Sequence, residues 1–197
     1  MNVAFGLKAH SGWAALVVVG RDDRDFVVVD RRRMELVEEA WAKQPYHAAE
    51  GLSPDAARDV VRQGIEAAHQ ISIREMRVAV NRERERNNDV AACAVLVGNP
   101  MPKWSVEEIL SAHFRLHKAE GVLFRDALVK AAEASGLKSL AIPEKQLATH
   151  AEGALGIGAT ELARLIAAMG RTIGPPWGKD QKDAALASLV ALQMVPG

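Results

Sequence analysis

A continuous apolar segment, residues 90–97, constrains the fold of this chain more than any other feature of its sequence. It follows Asn87 and Asn88 directly, has the length of a strand, and shows no alternation of polar and apolar residues, which indicates that both faces of the strand are covered. Helical patterns begin on either side of it, at the N-cap residues Ser53 and Ser105. The segment therefore predicts an interior strand of an α/β sheet that is flanked by helices.

Shorter patterns supply the other elements of a single domain spanning residues 1–197. Residues 35–52 have mixed periodicity and are interpreted as an insertion, and the glycine-rich residues 153–158 as a flexible connector. The predicted order is an antiparallel meander at 3–8, 13–20 and 26–30, a helix from 54, the strand at 90–97, one long helix from 105 to about 136, a strand at 139–142, a helix from 160 to 169, and a last helix beginning near 180.

The composition of the chain restricts the kinds of partner that we expect it to bind. With 49% apolar and 25% charged residues the chain is typical of a globular protein, and no apolar run reaches the roughly 18 residues that span a bilayer. We therefore expect a cytoplasmic protein with no membrane partner. The 25 basic and 25 acidic residues cancel, so there is no global positive field for nucleic acid, although the run from Arg31 to Arg33 is a candidate phosphate contact. Cys93 lies inside the apolar segment and is predicted to be a core residue.

The last predicted helix carries the first candidate site. Asp180 and Asp183 are three residues apart, which places both carboxylates on one helix face, just past the start of an apolar helix. Carboxylate oxygens are the ligands that hard divalent cations prefer. The spacing therefore indicates a site for Mg²⁺ or Mn²⁺.

The order of elements and the sequence Lys-Asp-Gln-Lys-Asp-Ala-Ala-Leu-Ala at 179–187 resemble RuvC-type Holliday-junction resolvases of the ribonuclease-H-like superfamily. The segments Ile-Pro-Glu-Lys-Gln at 142–146 and Lys-Ala-Glu-Gly-Val at 118–122 look like further parts of that pattern. The resemblance implies a ribonuclease-H-like mixed β-sheet. It also implies a nucleic-acid-processing function, with DNA or RNA as partner and, in an active enzyme, a divalent-metal-dependent nuclease.

The chain departs from this pattern at its acidic centre. RuvC-like nucleases place an aspartate at the end of the first strand, where this chain has Lys8, and a glutamate at the end of the central strand, where residues 94–98 offer no acid. Two-metal hydrolysis needs carboxylates around two cations roughly 4 Å apart. Lys8 is therefore expected to contact a phosphate or a carboxylate, and its ammonium can replace a cation beside Asp180 or Asp183. His10 is expected near the acidic pair as a ligand or base, or else as an ordinary turn residue.

A second candidate site lies on the long helix. His113, His117 and Glu120 follow one another at spacings of four and three, so they share one line of the helix surface. This set is compatible with a metal such as zinc or manganese, although such spacing is more often a hydrogen-bonded cluster or a set of partly exposed groups. Beside Asp180 and Asp183, the three residues are expected to act as auxiliary ligands or proton-transfer groups. Two functions remain open: a diverged nuclease or its inactive descendant, and a non-catalytic interaction protein that forms a homodimer through its helical face or its tryptophans.

Overall fold

A five-stranded mixed sheet organises the chain in the computed structural model, which describes residues 1–22 and 25–194. The strand order is β3-β2-β1-β4-β5, and the strands are β1 (Asn2–His10), β2 (Trp13–Asp22), β3 (Asp25–Glu35), β4 (Asp89–Val97) and β5 (Lys138–Pro143). The pairs β1–β2 and β2–β3 are antiparallel, whereas β1–β4 and β4–β5 are parallel. The predicted meander and the interior position of the apolar strand are both confirmed.

Seven helices occur among the described residues, together with two 3₁₀ turns at Ala40–Lys43 and Glu144–Gln146. The helices are α1 (Pro45–Ala48), α2 (Pro54–Glu85), α3 (Val106–Leu110), α4 (His113–Ala134), α5 (Leu147–Leu155), α6 (Ala159–Ile173) and α7 (Lys179–Gln193). In that part of the chain, no helix is long and apolar enough to cross a membrane.

The two faces of the sheet carry different helices. Along β1, the side chains of Val3, Phe5 and Leu7 join a core with α2 and α4, whereas Ala4 joins a core with α5, α6 and α7. A third apolar cluster connects α1 and α3 to α2 and α4. Because side chains alternate along a strand, residues 4, 6, 8 and 10 of β1 all face α7. This alternation decides which polar residues at the end of β1 meet the last helix.

Helix α7 packs unusually close to β1 because both surfaces lack bulky side chains. A Cβ atom built on Gly6 would lie 1.8 Å from the carbonyl oxygen of Ala184, so only glycine permits this approach. The hydroxyl of the buried Ser188 donates to the carbonyl of Ala4 (2.7 Å) and accepts from the backbone N–H of Val19 (3.2 Å). These contacts fix the position of α7 along the strand.

The predicted long helix from 105 to about 136 is wrong as a single element. The capping box of Ser105 and Glu108 forms as expected, but α3 ends after one short stretch, and Ala112 has extended backbone angles (φ −152°, ψ 122°) before α4 begins. The hydroxyl of Ser111 and the guanidinium of Arg115 both donate to the carbonyl of Glu108, each at 2.8 Å. They satisfy a carbonyl that a continuous helix would have used.

The connector predicted at 153–158 is wrong over its first part. Helix α5 extends through Leu155 and ends at Gly156, which has a left-handed conformation (φ 67°). Glycine commonly ends helices in this way, because it has no Cβ to resist a positive φ. The glycine-rich composition therefore marked the end of a helix.

Candidate functional site

Lys8 lies at the centre of a group of carboxylates, at the end of the sheet where the parallel strands β1, β4 and β5 have their carboxyl ends. Its side chain is 10% exposed and points toward α7. Its ammonium nitrogen Nζ lies 2.6 Å from Oδ2 of Asp183, 3.0 Å from Oε1 of Glu144 and 3.3 Å from Oδ1 of Asp180. We call Lys8, Glu144, Asp180 and Asp183 the lysine–acid cluster.

Three separate elements deliver these side chains. Asp180 and Asp183 are one turn apart at the start of α7, where carboxylates also interact favourably with the helix dipole. Glu144 directly follows β5, which ends at the same edge as its parallel neighbours. The chain segment before α7 is held in place by Arg31, whose guanidinium donates to the carbonyls of Gly174 and Pro175 at 2.6 Å each.

The arginine run predicted as a phosphate contact makes several contacts within the protein. Besides the two carbonyls already described, Arg31 also donates to the carbonyl of Pro176. Arg32 lies 3.7 Å from the carboxylate of Asp30, and Arg33 lies over the ring of Trp13 with 4.0 Å to its centroid. Arg31 is therefore held by backbone carbonyls, whereas Arg32 and Arg33 make looser contacts and the phosphate contact stays a prediction.

The charges of the lysine–acid cluster are balanced. Around the three carboxylates lie Lys8, Lys179, which approaches Asp183 at 2.5 Å, and Arg125, which lies 3.9 Å from Glu144. Burial lowers the pKa of Lys8, but its hydrogen bonds to Asp183 and Glu144 outweigh this effect and raise the pKa above the ordinary lysine value. Lys8 therefore stays protonated and bound to its carboxylate partners throughout the neutral range.

The RuvC-like pattern implies a divalent cation here, and the residues present do not fit one. Mg²⁺ and Ca²⁺ need several oxygen ligands at about 2.0–2.6 Å. The ammonium of Lys8 already bonds an oxygen of Asp183, of Glu144 and of Asp180, and β4 leads into Gly98 without contributing an acid. A cation could take these oxygens only by displacing Lys8, whose positive charge opposes it.

His10 lies at the rim of the lysine–acid cluster. Its Nε2 atom is 3.1 Å from Oδ2 of Asp180, but the orientation is not that of a hydrogen bond, so the contact is electrostatic at most. The imidazole instead stacks on Trp13, with 4.3 Å between the ring centroids and 11° between the ring planes. The structure thus brings Lys8, His10, Asp180 and Asp183 together as expected from the sequence.

His113, His117 and Glu120 lie elsewhere. All three contact His47 of α1, so they are not the auxiliary ligands of Asp180 and Asp183 that the sequence suggested. His113 and His117 meet His47 instead, and one ring nitrogen of each lies within 4.8 Å of the others. We call His47, His113 and His117 the histidine cluster.

Two residues of these clusters were missed by sequence reasoning. Glu144 had a usable signal, since it lies two residues after the predicted strand at 139–142, at the end of the sheet where parallel strands finish. His47 had none, because the insertion that carries it reaches α4 only through tertiary packing.

A cavity of about 480 Å³ adjoins the lysine–acid cluster. Three basic side chains line it, from Arg125, Lys145 and Lys179, with Glu144 as the acidic residue between them. The remaining lining residues are Val97, Gly98, Asn99 and Pro143. The cavity lies at the carboxyl ends of β4 and β5, which is where ligands bind in open α/β sheets.

Comparison with solved structures identifies the fold. The structure of Thermus thermophilus RuvC matches 95% of this chain and 92% of its own, with a TM-score of 0.51 and 14% sequence identity. T. thermophilus RuvC in complex with a Holliday junction substrate matches 96% of this chain and 92% of its own, again with a TM-score of 0.51 and 14% identity. No protein-family profile and no curated protein sequence matches the chain. The protein therefore has a ribonuclease-H-like, RuvC-like fold, as its sequence predicts.

Proposed function

We propose that this protein is a catalytically inactive descendant of a RuvC-like nuclease and that it binds nucleic acid without cleaving it. One observation carries the proposal: the buried ammonium of Lys8 bonds Asp183, Glu144 and Asp180, at 2.6, 3.0 and 3.3 Å, in the place where a RuvC-like nuclease would be expected to hold a cation.

The inactivity follows from the charge that Lys8 supplies. Two-metal hydrolysis of a phosphodiester uses cations to generate the nucleophile and to stabilise the attacking and leaving oxygens. An ammonium provides one positive charge, no exchangeable water ligand and no Lewis acidity. Removing one partner from a buried ion pair typically costs about 3–5 kcal/mol, so a cation that competes with Lys8 starts at a large disadvantage.

The basic cavity beside the cluster supports binding of a phosphate backbone. Arg125, Lys145 and Lys179 converge on it, and Lys145 is exposed and makes no ion pair with any residue in the described ranges. The similar RuvC protein solved with a Holliday junction supports a nucleic acid as the anionic ligand. Because few basic residues are involved, we expect binding that is weak and has only a modest dependence on salt.

Binding and cleavage can be separated by fluorescence anisotropy and gel assays on a four-way DNA junction, duplex DNA, single-stranded DNA and RNA. We expect binding in the presence of EDTA and no product after addition of Mg²⁺ or Mn²⁺. For three phosphate contacts, the slope of log K against log salt on duplex DNA should be about −2.7. Cleavage that depends on either cation would contradict the inactivity.

Lys145→Glu provides the matched test of the binding surface. It reverses a charge in the cavity, so we expect at least a tenfold loss of affinity, whereas Lys130→Glu makes the same change at an exposed position of α4 that does not line this cavity and should have little effect. Equal effects of both variants would show that the cavity is not the interface. Failure of the wild-type protein to bind any of the four nucleic acids would favour the interaction-protein alternative.

A further inference from the structure

We propose that the histidine cluster is a binding site for a transition-metal dication of the zinc type, with His47, His113 and His117 as ligands and Glu120 as the residue that positions His47. The site is independent of the lysine–acid cluster. It differs from the metal set expected from the sequence, because His47 replaces Glu120 among the ligands.

The geometry of the three imidazoles suits such an ion. Zinc binds histidine nitrogen at about 2.0–2.1 Å, so two ligands of a tetrahedral ion are about 3.4 Å apart. The Nε2 atoms of His113 and His117 are 2.9 Å apart, and one ring nitrogen from each of the three histidines lies within 4.8 Å of the other two. These separations bracket the required value, and small rotations of the exposed His113 and His117 rings close the difference.

Glu120 gives an independent indication that a cation belongs here. It is 5% exposed, and its Oε1 accepts hydrogen bonds from the backbone N–H groups of Tyr46 (2.8 Å) and His47 (3.2 Å). The same oxygen lies 3.4 Å from Nδ1 of His47, whereas Oε2 is buried without a hydrogen-bond partner in the structure as described. A buried carboxylate that is only partly satisfied is stabilised by positive charge nearby.

The contact between Glu120 and His47 also sets the orientation of the ring. A carboxylate that accepts from one ring nitrogen of a metal-binding histidine fixes its tautomer and raises its basicity. With Nδ1 of His47 facing Glu120, Nε2 is the nitrogen left for the ion. Glu120 is therefore a positioning residue and not a ligand.

Metal binding would connect two parts of the fold. His47 belongs to α1, inside the segment interpreted as an insertion, whereas His113 and His117 belong to the first turns of α4. An ion held by all three would fasten α1 to α4. Three protein ligands leave a fourth position of a tetrahedral ion open to water or to a ligand, and the exposure of His113 and His117 makes that position accessible.

The test is calorimetric titration of Zn²⁺ into protein freed of metal by chelation, with Co²⁺ absorption bands as a second readout of ligand geometry. We expect one Zn²⁺ per chain, a rise in melting temperature, and weaker binding at pH 5.5 than at pH 7.5, because protons compete for the imidazoles. His113→Ala and His117→Ala should each abolish stoichiometric binding. These side chains are exposed, so both variants should remain folded.

His150→Ala is the matched control, because His150 is also an exposed helical histidine but lies outside the cluster. Glu120→Gln should lower zinc affinity 10- to 100-fold while the stoichiometry stays at one, as expected for a second-layer residue. The titration is carried out without nucleic acid, so its outcome is independent of the proposed function. The absence of zinc binding, or equal binding by wild type and His117→Ala, would overturn the inference.

Discussion

The lysine–acid cluster and the histidine cluster both contain side chains that commonly bind metals. They differ in how far the polar atoms of those side chains are already bonded to charged groups of the protein. Each brings metal-binding types of side chain together from distant parts of the chain. In the lysine–acid cluster an ammonium already bonds the carboxylates, whereas in the histidine cluster the Nε2 atoms of His113 and His117 lie 2.9 Å apart and contact each other instead of a cationic side chain. The comparison teaches that the type of ligand side chain does not by itself decide whether a site can accept a cation. A positively charged hydrogen-bond donor that already contacts those side chains matters more.

Among the substitutions that test this comparison, Lys8→Ala should have the largest effect on stability. It leaves Asp183, Glu144 and Asp180 without their central partner. Because these carboxylates are 15–35% exposed, the free energy of unfolding at pH 7 should fall by about 3 kcal/mol, the lower end of the range for buried ion pairs. Chemical denaturation measures this loss. Lys182→Ala, at an exposed position of α7, is the control and should change stability by less than about 0.5 kcal/mol.

The pH dependence of the free energy of unfolding, compared between wild type and Lys8→Ala, gives a second test. The folded-state pKa of Lys8 is raised, so its contribution is fully present below the unfolded-state value of about 10.4 and is lost only as the pH rises through the higher folded-state value. The stability difference between wild type and Lys8→Ala should therefore be constant from pH 7 to pH 9.5. A difference that shrinks in this range would contradict the assignment of the charge to Lys8.

Lys8→Asp should convert the lysine–acid cluster from a site that excludes divalent cations into one that binds them. It removes the ammonium and adds a fourth carboxylate, so Mg²⁺ or Mn²⁺ should now raise the melting temperature, with a stabilisation of about 2.7 kcal/mol at a cation concentration 100 times Kd. Thermal unfolding with and without the cation measures the effect, and wild type should show none. A variant that stays indifferent to both cations would show that Lys8 is not what excludes them.

Gly6→Ala should disturb the lysine–acid cluster while leaving the histidine cluster intact. The new Cβ would lie 1.8 Å from the carbonyl oxygen of Ala184, so α7 must move away from β1, with an expected loss of about 1–3 kcal/mol. Gly153→Ala, in α5 with no atom within 4 Å of the new methyl group, is the control and should be neutral or slightly stabilising. Zinc binding by Gly6→Ala should equal that of wild type, because the histidine cluster involves neither element.

The fold was predictable because its signals are local. The apolar residues of β4 indicate a strand covered on both faces, and the meander and the N-cap of α2 each need only a few neighbouring residues. The break at Ala112 was not predictable from periodicity, because the apolar pattern continues through it while side-chain hydrogen bonds to the carbonyl of Glu108 end α3.

The candidate site that depends on the strand order was predictable from the sequence, whereas the one that depends on an irregular segment was not. The approach of Asp180 and Asp183 to Lys8 followed from placing the last helix beside the first strand, and the distances of 3.3 and 2.6 Å agree with that arrangement. The partnership of His47 with His113 and His117 depends on how an irregular segment folds back onto α4. No periodicity or spacing in the sequence encodes such a contact.

The most direct measurement of the central claim is NMR observation of the Lys8 side-chain ¹⁵Nζ–H signals during titration with Mn²⁺ of the His117→Ala protein, in which the histidine cluster is disabled. The account predicts a charged, exchange-protected ammonium whose signals persist without paramagnetic broadening, since the ammonium keeps its bonds to Asp183, Glu144 and Asp180. Loss of these signals at one equivalent of Mn²⁺ or less would show that the cation enters the lysine–acid cluster and would contradict the account.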